Sequence, residues 1–203
     1  MIFNMEDNNE KLFRVIFGVS SVGKSTFIKQ QLTAGIIATN TRILMAYELQ
    51  NKKVLEKRPS IIHYNAMRPY MIKDKVKEKI DLQNDNVATI LFSNNRLTAV
   101  TVLVASRTTI KQRIIQRKYV EPILKDNFTL YPKEKILKYF QQYCMVDVYR
   151  KWIEFFIIRN IATSFYSTEK SVYEKLGSAE EALERLCYKS NTVGLNACNE
   201  CRI

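Results

Sequence analysis

The feature that most constrains this chain is one short stretch near its start, Gly18-Val19-Ser20-Ser21-Val22-Gly23-Lys24-Ser25. It matches the pattern G-x-x-x-x-G-K-[ST] at every defined position. The mostly apolar run 12–17 before it predicts a buried strand, and the residues 25–32 after it predict a helix. A turn of this kind between a strand and a helix lets backbone N–H groups surround an anion. We therefore predict a phosphate-binding loop over residues 18–25, which we call the glycine loop.

Each position of the glycine loop has a predicted task. Gly18 and Gly23 allow backbone conformations and close approaches that a Cβ atom would block. Lys24 is expected to reach the β- and γ-phosphates of a nucleotide, and the Ser25 hydroxyl is the expected Mg²⁺ ligand. The alternative is a Gly/Ser-rich turn before an ordinary helix. The predicted nucleotide-binding residues are Gly18, Val19, Ser20, Ser21, Val22, Gly23, Lys24, Ser25 and Thr26.

Length and composition bound the class of protein. A chain of 203 residues, 46% of them hydrophobic, predicts one domain with a substantial core and argues against disorder. No apolar run approaches the length of a membrane-spanning helix. Residues 1–11 lack the basic start and apolar centre of a signal peptide, so a cytoplasmic location is expected. We predict one domain over residues 1–190 and a flexible tail over 191–203.

The charge of the chain favours anionic partners. Lys and Arg number 32 against 20 for Asp and Glu, which gives a net charge of +12. Nucleic acid is a possible partner but is not favoured, because neither an aromatic RNA-binding signature nor a helix-turn-helix pattern accompanies the basic residues. Cys198 and Cys201 form one C-x-x-C pair, which is weak evidence for zinc or redox chemistry without a second ligand pair nearby.

Apolar runs alternate with helical patterns along the chain. This alternation predicts an α/β fold with a mainly parallel sheet of about five strands, sandwiched by helices. Residues 87–92 fit either a strand or a buried helical turn. Ligands in such sheets bind beyond the carboxyl ends of the strands, which places Glu48, His63, Asn65 and Arg107 among the candidates. The predicted strands cover residues 12–17, 42–47, 60–65, 98–104 and 161–166, and the main predicted helices cover 25–32, 73–82, 106–119, 146–159 and 178–187.

The glycine loop, together with the strand at 102–104 and the arginine-bearing helix after it, resembles P-loop kinases of the nucleotide- and small-metabolite-kinase type. The resemblance implies a helical lid over residues of about 106–132. It also implies that Arg113 and Arg117 stabilise the phosphoryl group during transfer. Arg113 and Arg117 are four residues apart and share one side of a helix, which a solvated helix face would explain equally well.

A second element, residues 62–69, resembles a His-Tyr-Asp-x-x-Arg-Pro element of uncharacterised bacterial P-loop proteins. Those proteins also have a late Tyr-x-x-Trp helix, to which Tyr149 and Trp152 are similar. Asn65 stands where that element has its acid, and an amide cannot act as a base. Glu48 is then the alternative catalytic acid. His63, Asn65 and Arg107 are candidate substrate contacts, although a lone histidine beside apolar residues more often closes a hydrogen-bond network.

These features predict a Mg²⁺-dependent ATP phosphotransferase that acts on a small hydroxyl-bearing or phosphorylated substrate. ATP is favoured over GTP because the chain lacks an Asn-Lys-x-Asp element. The predicted catalytic residues are Lys24, Arg113, Arg117 and Glu48. Two alternatives stay open: a nucleotide-dependent regulatory or binding ATPase without a small-molecule acceptor, and an NTPase that handles nucleic acid.

Overall fold

A computed structural model describes residues 13–50, 59–68, 86–92, 97–116, 136–137, 140–141 and 143–187. Six strands form one sheet. β1 reads as an almost continuous buried run, with Arg14 alone exposed, as expected of a parallel strand covered on both faces. The strands are β1 Phe13–Gly18, β2 Arg42–Met45, β3 Ser60–Asn65, β4 Leu97–Val104, β5 Thr163–Ser167 and β6 Glu174–Leu176.

The spatial order of the strands is β2-β3-β1-β4-β5-β6. β1 to β5 are parallel to their neighbours, and β6 is antiparallel to β5. The predicted mainly parallel sheet of an α/β fold is thus confirmed. The sixth strand was not predicted, because it contributes only Glu174, Lys175 and Leu176, and only Leu176 is buried.

Five α-helices whose bounds lie within the described residues flank the sheet. Residues 87–92 are helical, since Val87, Ala88, Leu91 and Phe92 are buried and recur at helical spacing. The second strand is shorter than predicted: it stops at Met45, and a 3₁₀ helix covers Ala46–Gln50. The α-helices are α1 Lys24–Thr33, α2 Asn86–Phe92, α3 Arg107–Gln116, α4 Met145–Ile158 and α5 Ala179–Cys187.

The connections leave β1 and β3 in opposite directions. The chain passes from β1 through α1 to the β2 edge, and from β3 through α2 to β4 on the far side of β1. Since parallel crossovers are right-handed, these connections cover opposite faces of the sheet. Accordingly, Phe92 of α2 contacts Tyr64, whereas Phe27 of α1 contacts Tyr166 on the other face. The carboxyl ends of β1 and β3 therefore form a topological switch point, where ligands of such sheets bind.

An aromatic cluster supports the sheet beneath this switch point. Phe17 on β1 stacks on Tyr64 of β3 at 5.7 Å between ring centroids. Three side chains of α4 pack edge-on against Phe17: Tyr149, Trp152 and Phe156. All are fully buried, so a Phe17 or Trp152 truncation to Ala would remove about 3–5 kcal/mol of stability.

Several predictions concern residues outside those that the structure describes. They include the helix at 73–82, the lid beyond residue 116 with Arg117, and the tail with Cys198 and Cys201. In the ranges that are described, every helix is too short or too polar to cross a bilayer.

Candidate functional site

The glycine loop follows β1 directly at the switch point. Its backbone has positive φ angles at Gly18 (155°), Ser21 (61°) and Gly23 (105°). A Cβ atom on Gly18 would lie 2.8 Å from Val22 Cγ1 and 2.9 Å from the Leu103 carbonyl oxygen, which is closer than such atoms can approach. Gly18 is therefore required by both its conformation and its packing.

Lys24 occupies the centre of the loop. Its side chain is only 3% exposed, and its Nζ donates to the carbonyl oxygens of Gly18 at 2.7 Å and Val19 at 2.6 Å. A buried ammonium group requires hydrogen-bonding partners, and here the loop supplies two of them. The loop thus wraps around a cation at the carboxyl end of β1.

The N-terminus of α1 directly follows this loop. Gly23 occupies the N-cap position, and among the described residues no side chain caps the helix and no acidic residue lies in its first turn. The first N–H groups of a helix need acceptors, and the helix dipole favours an anion there. Together with Lys24, this terminus can bind an anionic group such as phosphate.

A buried tyrosine anchors the first half of the loop. Tyr149 on α4 is fully buried, and its hydroxyl accepts from the Val19 backbone N–H at 3.1 Å and donates to the Leu103 carbonyl oxygen at 2.9 Å. Burial raises the pKa of Tyr149 well above its ordinary value. The phenol therefore stays protonated and serves as donor and acceptor at once.

The second half of the loop is held by the β5–β6 connection. Thr168 Oγ1 donates to the Val22 carbonyl oxygen at 2.6 Å, and Tyr173 Oη donates to the Gly23 carbonyl oxygen at 3.0 Å. The Arg113 guanidinium joins them, donating to Val22 O at 3.3 Å and to Thr168 Oγ1 at 3.0 Å. Arg113 therefore lies at the glycine loop, bonded to its backbone.

One residue of this same connection also fixes the start of α3. Ser106 caps α3, since its Oγ accepts from the Thr109 N–H at 3.2 Å. The Glu169 carboxylate accepts from the Ser106 N–H and from Thr109 Oγ1. Residues 168–173 thus connect the glycine loop to the helix that carries Arg113.

Ser25 and Thr26 are exposed in the first turn of α1. The Ser25 Oγ atom lies 3.5 Å from Nε2 of His63, a half-buried side chain on β3. The parallel register pairs His63 with Ile16, two residues before Gly18. The strand pairing thereby brings the chain's single histidine to the predicted metal ligand.

Asn65 closes the end of β3 against the loop. Its Nδ2 donates to Ser20 Oγ at 3.1 Å, and its Oδ1 accepts from the Met67 N–H at 3.0 Å. The Ala66 N–H also donates to the Gly18 carbonyl oxygen at 3.1 Å. The Asn65 amide thus contacts the glycine loop through its nitrogen and the backbone after β3 through its oxygen.

Two candidates make contacts away from the glycine loop. Glu48 was expected at the end of β2, but it lies in the 3₁₀ helix, and its exposed carboxylate accepts from the Met45 N–H. Arg107 donates from its guanidinium to the Phe140 carbonyl oxygen at 3.1 Å. These contacts hold the local fold and involve no group of the glycine loop.

Sequence reasoning missed four residues that position the loop or α3. It placed Tyr149 in a helix that resembles the late Tyr-x-x-Trp helix but gave it no contact with the loop, and it assigned nothing to Thr168, Glu169 and Tyr173. The long-range partners described above lie between 46 and 150 residues away in the sequence. Local patterns therefore carry no signal for these contacts.

The donor set for a metal ion at this site is small. The part of the chain that the structure describes contains no cluster of three or more His, Cys, Asp or Glu residues suited to a metal. One buried side-chain atom there, Ser21 Oγ in the glycine loop, has no hydrogen-bond partner. Comparison with known proteins found no protein family and no characterised protein that matches this chain.

Proposed function

We propose that the glycine loop binds the triphosphate of ATP together with a divalent ion, and that the protein transfers the γ-phosphoryl group to a small hydroxyl-bearing or phosphorylated substrate. In this proposal the α/β sheet is that of a single-domain, cytoplasmic P-loop kinase. One observation carries the nucleotide site: the loop wraps around the buried ammonium group of Lys24 at a helix N-terminus that no described side chain caps.

The residues present fit such a ligand. Lys24 can exchange its bonds to Gly18 O and Val19 O for phosphate oxygens, which are stronger acceptors for an ammonium group. The N–H groups of the α1 first turn supply further donors, and the unpartnered Ser21 Oγ supplies another polar group in the loop. Ser25 would hold the ion, which neutralises charge on the β- and γ-phosphates when it is bound.

Transfer would depend on cations that stabilise charge on the phosphoryl oxygens. Lys24 serves this task from within the loop. Arg113 is held beside the loop by its bonds to Val22 O and Thr168, and from there its guanidinium group, which has five N–H donors, can act on the same phosphates. A lid that carries Arg117 would exclude water from the reaction.

A second candidate function is ATP binding and hydrolysis without a small-molecule acceptor. The observation that favours it is the use of Asn65 and Glu48 in local hydrogen bonds, which leaves the acceptor side without an assigned base. A regulatory ATPase needs no such base for an acceptor hydroxyl.

Product analysis separates these functions. The protein would be incubated with γ-labelled ATP, Mg²⁺ and a panel of sugars, alcohols, nucleosides and monophosphates. Label in an acceptor supports the phosphotransferase, and label that appears only as inorganic phosphate supports the regulatory ATPase. Label release no greater than that of the Lys24→Ala variant would contradict both. The variant Lys29→Ala, an exposed lysine of the same helix, is the matched control and should behave as wild type.

A further inference from the structure

Ser25 and His63 form a pair of donor atoms at the mouth of the glycine loop. We propose that both residues are ligands of the divalent ion that accompanies the nucleotide, so that the site has an oxygen and a nitrogen donor and binds Mn²⁺, Co²⁺ or Zn²⁺ more tightly than Mg²⁺. The inference rests on the nucleotide-binding function proposed above. It assigns His63, whose role the sequence left open, to the metal.

The fold fixes the position of His63. Tyr64, the next residue on β3, stacks on Phe17 on the face covered by α2 and α4. Since successive side chains of a strand alternate, His63 belongs to the opposite face, which α1 covers. The first turn of α1 carries Ser25, so the strand and the helix bring the two side chains together from elements 38 residues apart.

The separation of the two donors suits a shared ion. Two donor atoms that are each about 2.1 Å from one metal ion lie roughly 3.0–3.4 Å apart at octahedral or tetrahedral angles. The observed distance between Ser25 Oγ and His63 Nε2 is 3.5 Å, so the pair needs only a shift of about 0.1–0.5 Å to fit. Ser25 is exposed and His63 is half-buried, so neither side chain is enclosed in the core.

The chemistry of the donors favours transition metals. Mg²⁺ takes oxygen ligands in near-ideal octahedral geometry, whereas imidazole suits borderline ions and strengthens binding along the series from Mn²⁺ to Co²⁺ and Ni²⁺. The Asn65 carboxamide at the end of the same strand is bonded to Ser20 Oγ and the Met67 N–H. The Glu48 carboxylate accepts from the Met45 N–H. Ser25 and His63 are thus the hydroxyl and imidazole donors that the described structure places side by side here.

The single histidine of the chain makes a direct test possible. Protein grown with ¹⁵N-histidine carries the label only at His63, so the adenine nitrogens of a nucleotide cannot imitate it. The full chain would be loaded with Mn²⁺ and a nonhydrolysable ATP analogue and measured by pulsed EPR. We expect a ¹⁴N coupling in unlabelled protein that is replaced by a ¹⁵N coupling in the labelled protein.

The possible failures are distinguishable. If the analogue binds in calorimetry but the label changes no coupling, His63 is not a ligand and this inference is wrong while the nucleotide site stands. If neither the analogue nor Mn²⁺ binds, both the proposed function and the inference are wrong. This experiment requires no substitution, so it does not depend on the folding of a variant.

Two variants test the preference among ions. In His63→Gln, which keeps a polar side chain beside Ser25, we expect Co²⁺ affinity of the analogue complex to fall by about 10-fold or more, with Mg²⁺ affinity changed by less than about 3-fold. In His63→Glu, which offers an oxygen donor of similar reach, we expect Mg²⁺ to bind more tightly than in wild type. Equal losses for Co²⁺ and Mg²⁺ in His63→Gln would show a merely structural histidine and overturn the inference.

Discussion

The glycine loop differs from the four residues that are candidates for contacting the phosphate acceptor in how the sequence encodes them. The loop is contiguous, and its conformation brings Lys24, Gly18 and Val19 together within one turn. The acceptor-side candidates are dispersed over about 60 residues: Glu48, His63, Asn65 and Arg107. The fold brings His63 and Asn65 to the loop, whereas Glu48 and Arg107 bond elsewhere.

This difference shows which kind of site can be predicted from local sequence alone. A loop that binds phosphate through backbone N–H groups needs glycines at fixed positions, so its chemistry is visible in the sequence. A site built from side chains on separate strands and helices depends on strand order and register. Position at a strand end is therefore a weak guide to the role of a side chain.

The largest expected effect comes from breaking the loop at Gly18. In Gly18→Ala the new Cβ would meet Val22 Cγ1 and the Leu103 carbonyl oxygen at under 3.0 Å, at a φ of 155°. We expect a loss of about 3 kcal/mol or more in the free energy of unfolding, measured by chemical denaturation. The control is Gly35→Ala, where φ is 69° and no atom lies within 4 Å of the new Cβ. It should cost only about 1–2 kcal/mol, and equal losses in both variants would contradict the packing argument.

A smaller effect is expected when the loop loses its distant anchor. Tyr149→Phe leaves the Val19 N–H and the Leu103 carbonyl oxygen without the hydroxyl that joins them. Each unsatisfied buried group has a cost, so we expect a loss of about 1–3 kcal/mol in the free energy of unfolding. Nucleotide affinity should also fall, because the Val19 N–H belongs to the loop.

Denaturation and nucleotide titration of the same samples measure both quantities. The control Tyr166→Phe removes a hydroxyl from a half-buried ring that contacts Phe27. Wild-type stability in Tyr149→Phe would show that the loop needs no anchor from α4.

The smallest effect is expected at Glu48, one of the candidates for contacting the acceptor. Glu48→Gln retains an oxygen that accepts from the Met45 N–H but removes any basic function. We expect phosphate release or transfer to stay within about 2-fold of wild type, because loss of a true catalytic base costs about 100-fold or more. A loss of that size, measured with γ-labelled ATP, would restore Glu48 as the catalytic acid–base group.

The sequence predicted the parts of the fold that have strong local patterns. β1, the glycine loop and α1 were predicted within about two residues, as was β3. The predicted helix at 178–187 is observed as α5, and Ser178 caps it, since Ser178 Oγ accepts from the Glu181 N–H at 3.1 Å. These features depend on neighbouring residues alone.

Other features could not be predicted from local sequence, because they depend on contacts between distant parts of the chain. β6 has too few apolar residues to show a strand pattern, and it exists because β5 offers a free edge to pair with. The roles of Tyr149 and Thr168 arise from contacts with the loop across 130 and 146 residues of sequence. The contact of His63 with Ser25 likewise requires the register of β3 against β1.

The most direct test of the central claim is calorimetric titration of a nonhydrolysable ATP analogue with Mg²⁺ into three proteins: wild type, Lys24→Ala and Lys29→Ala. We predict equal binding by wild type and Lys29→Ala. Affinity should be weaker by roughly 10- to 100-fold in Lys24→Ala, since a hydrogen bond to a charged group contributes about 1.5–3 kcal/mol. Equal affinity in all three proteins, or no binding to wild type, would contradict the assignment of the glycine loop as a nucleotide site.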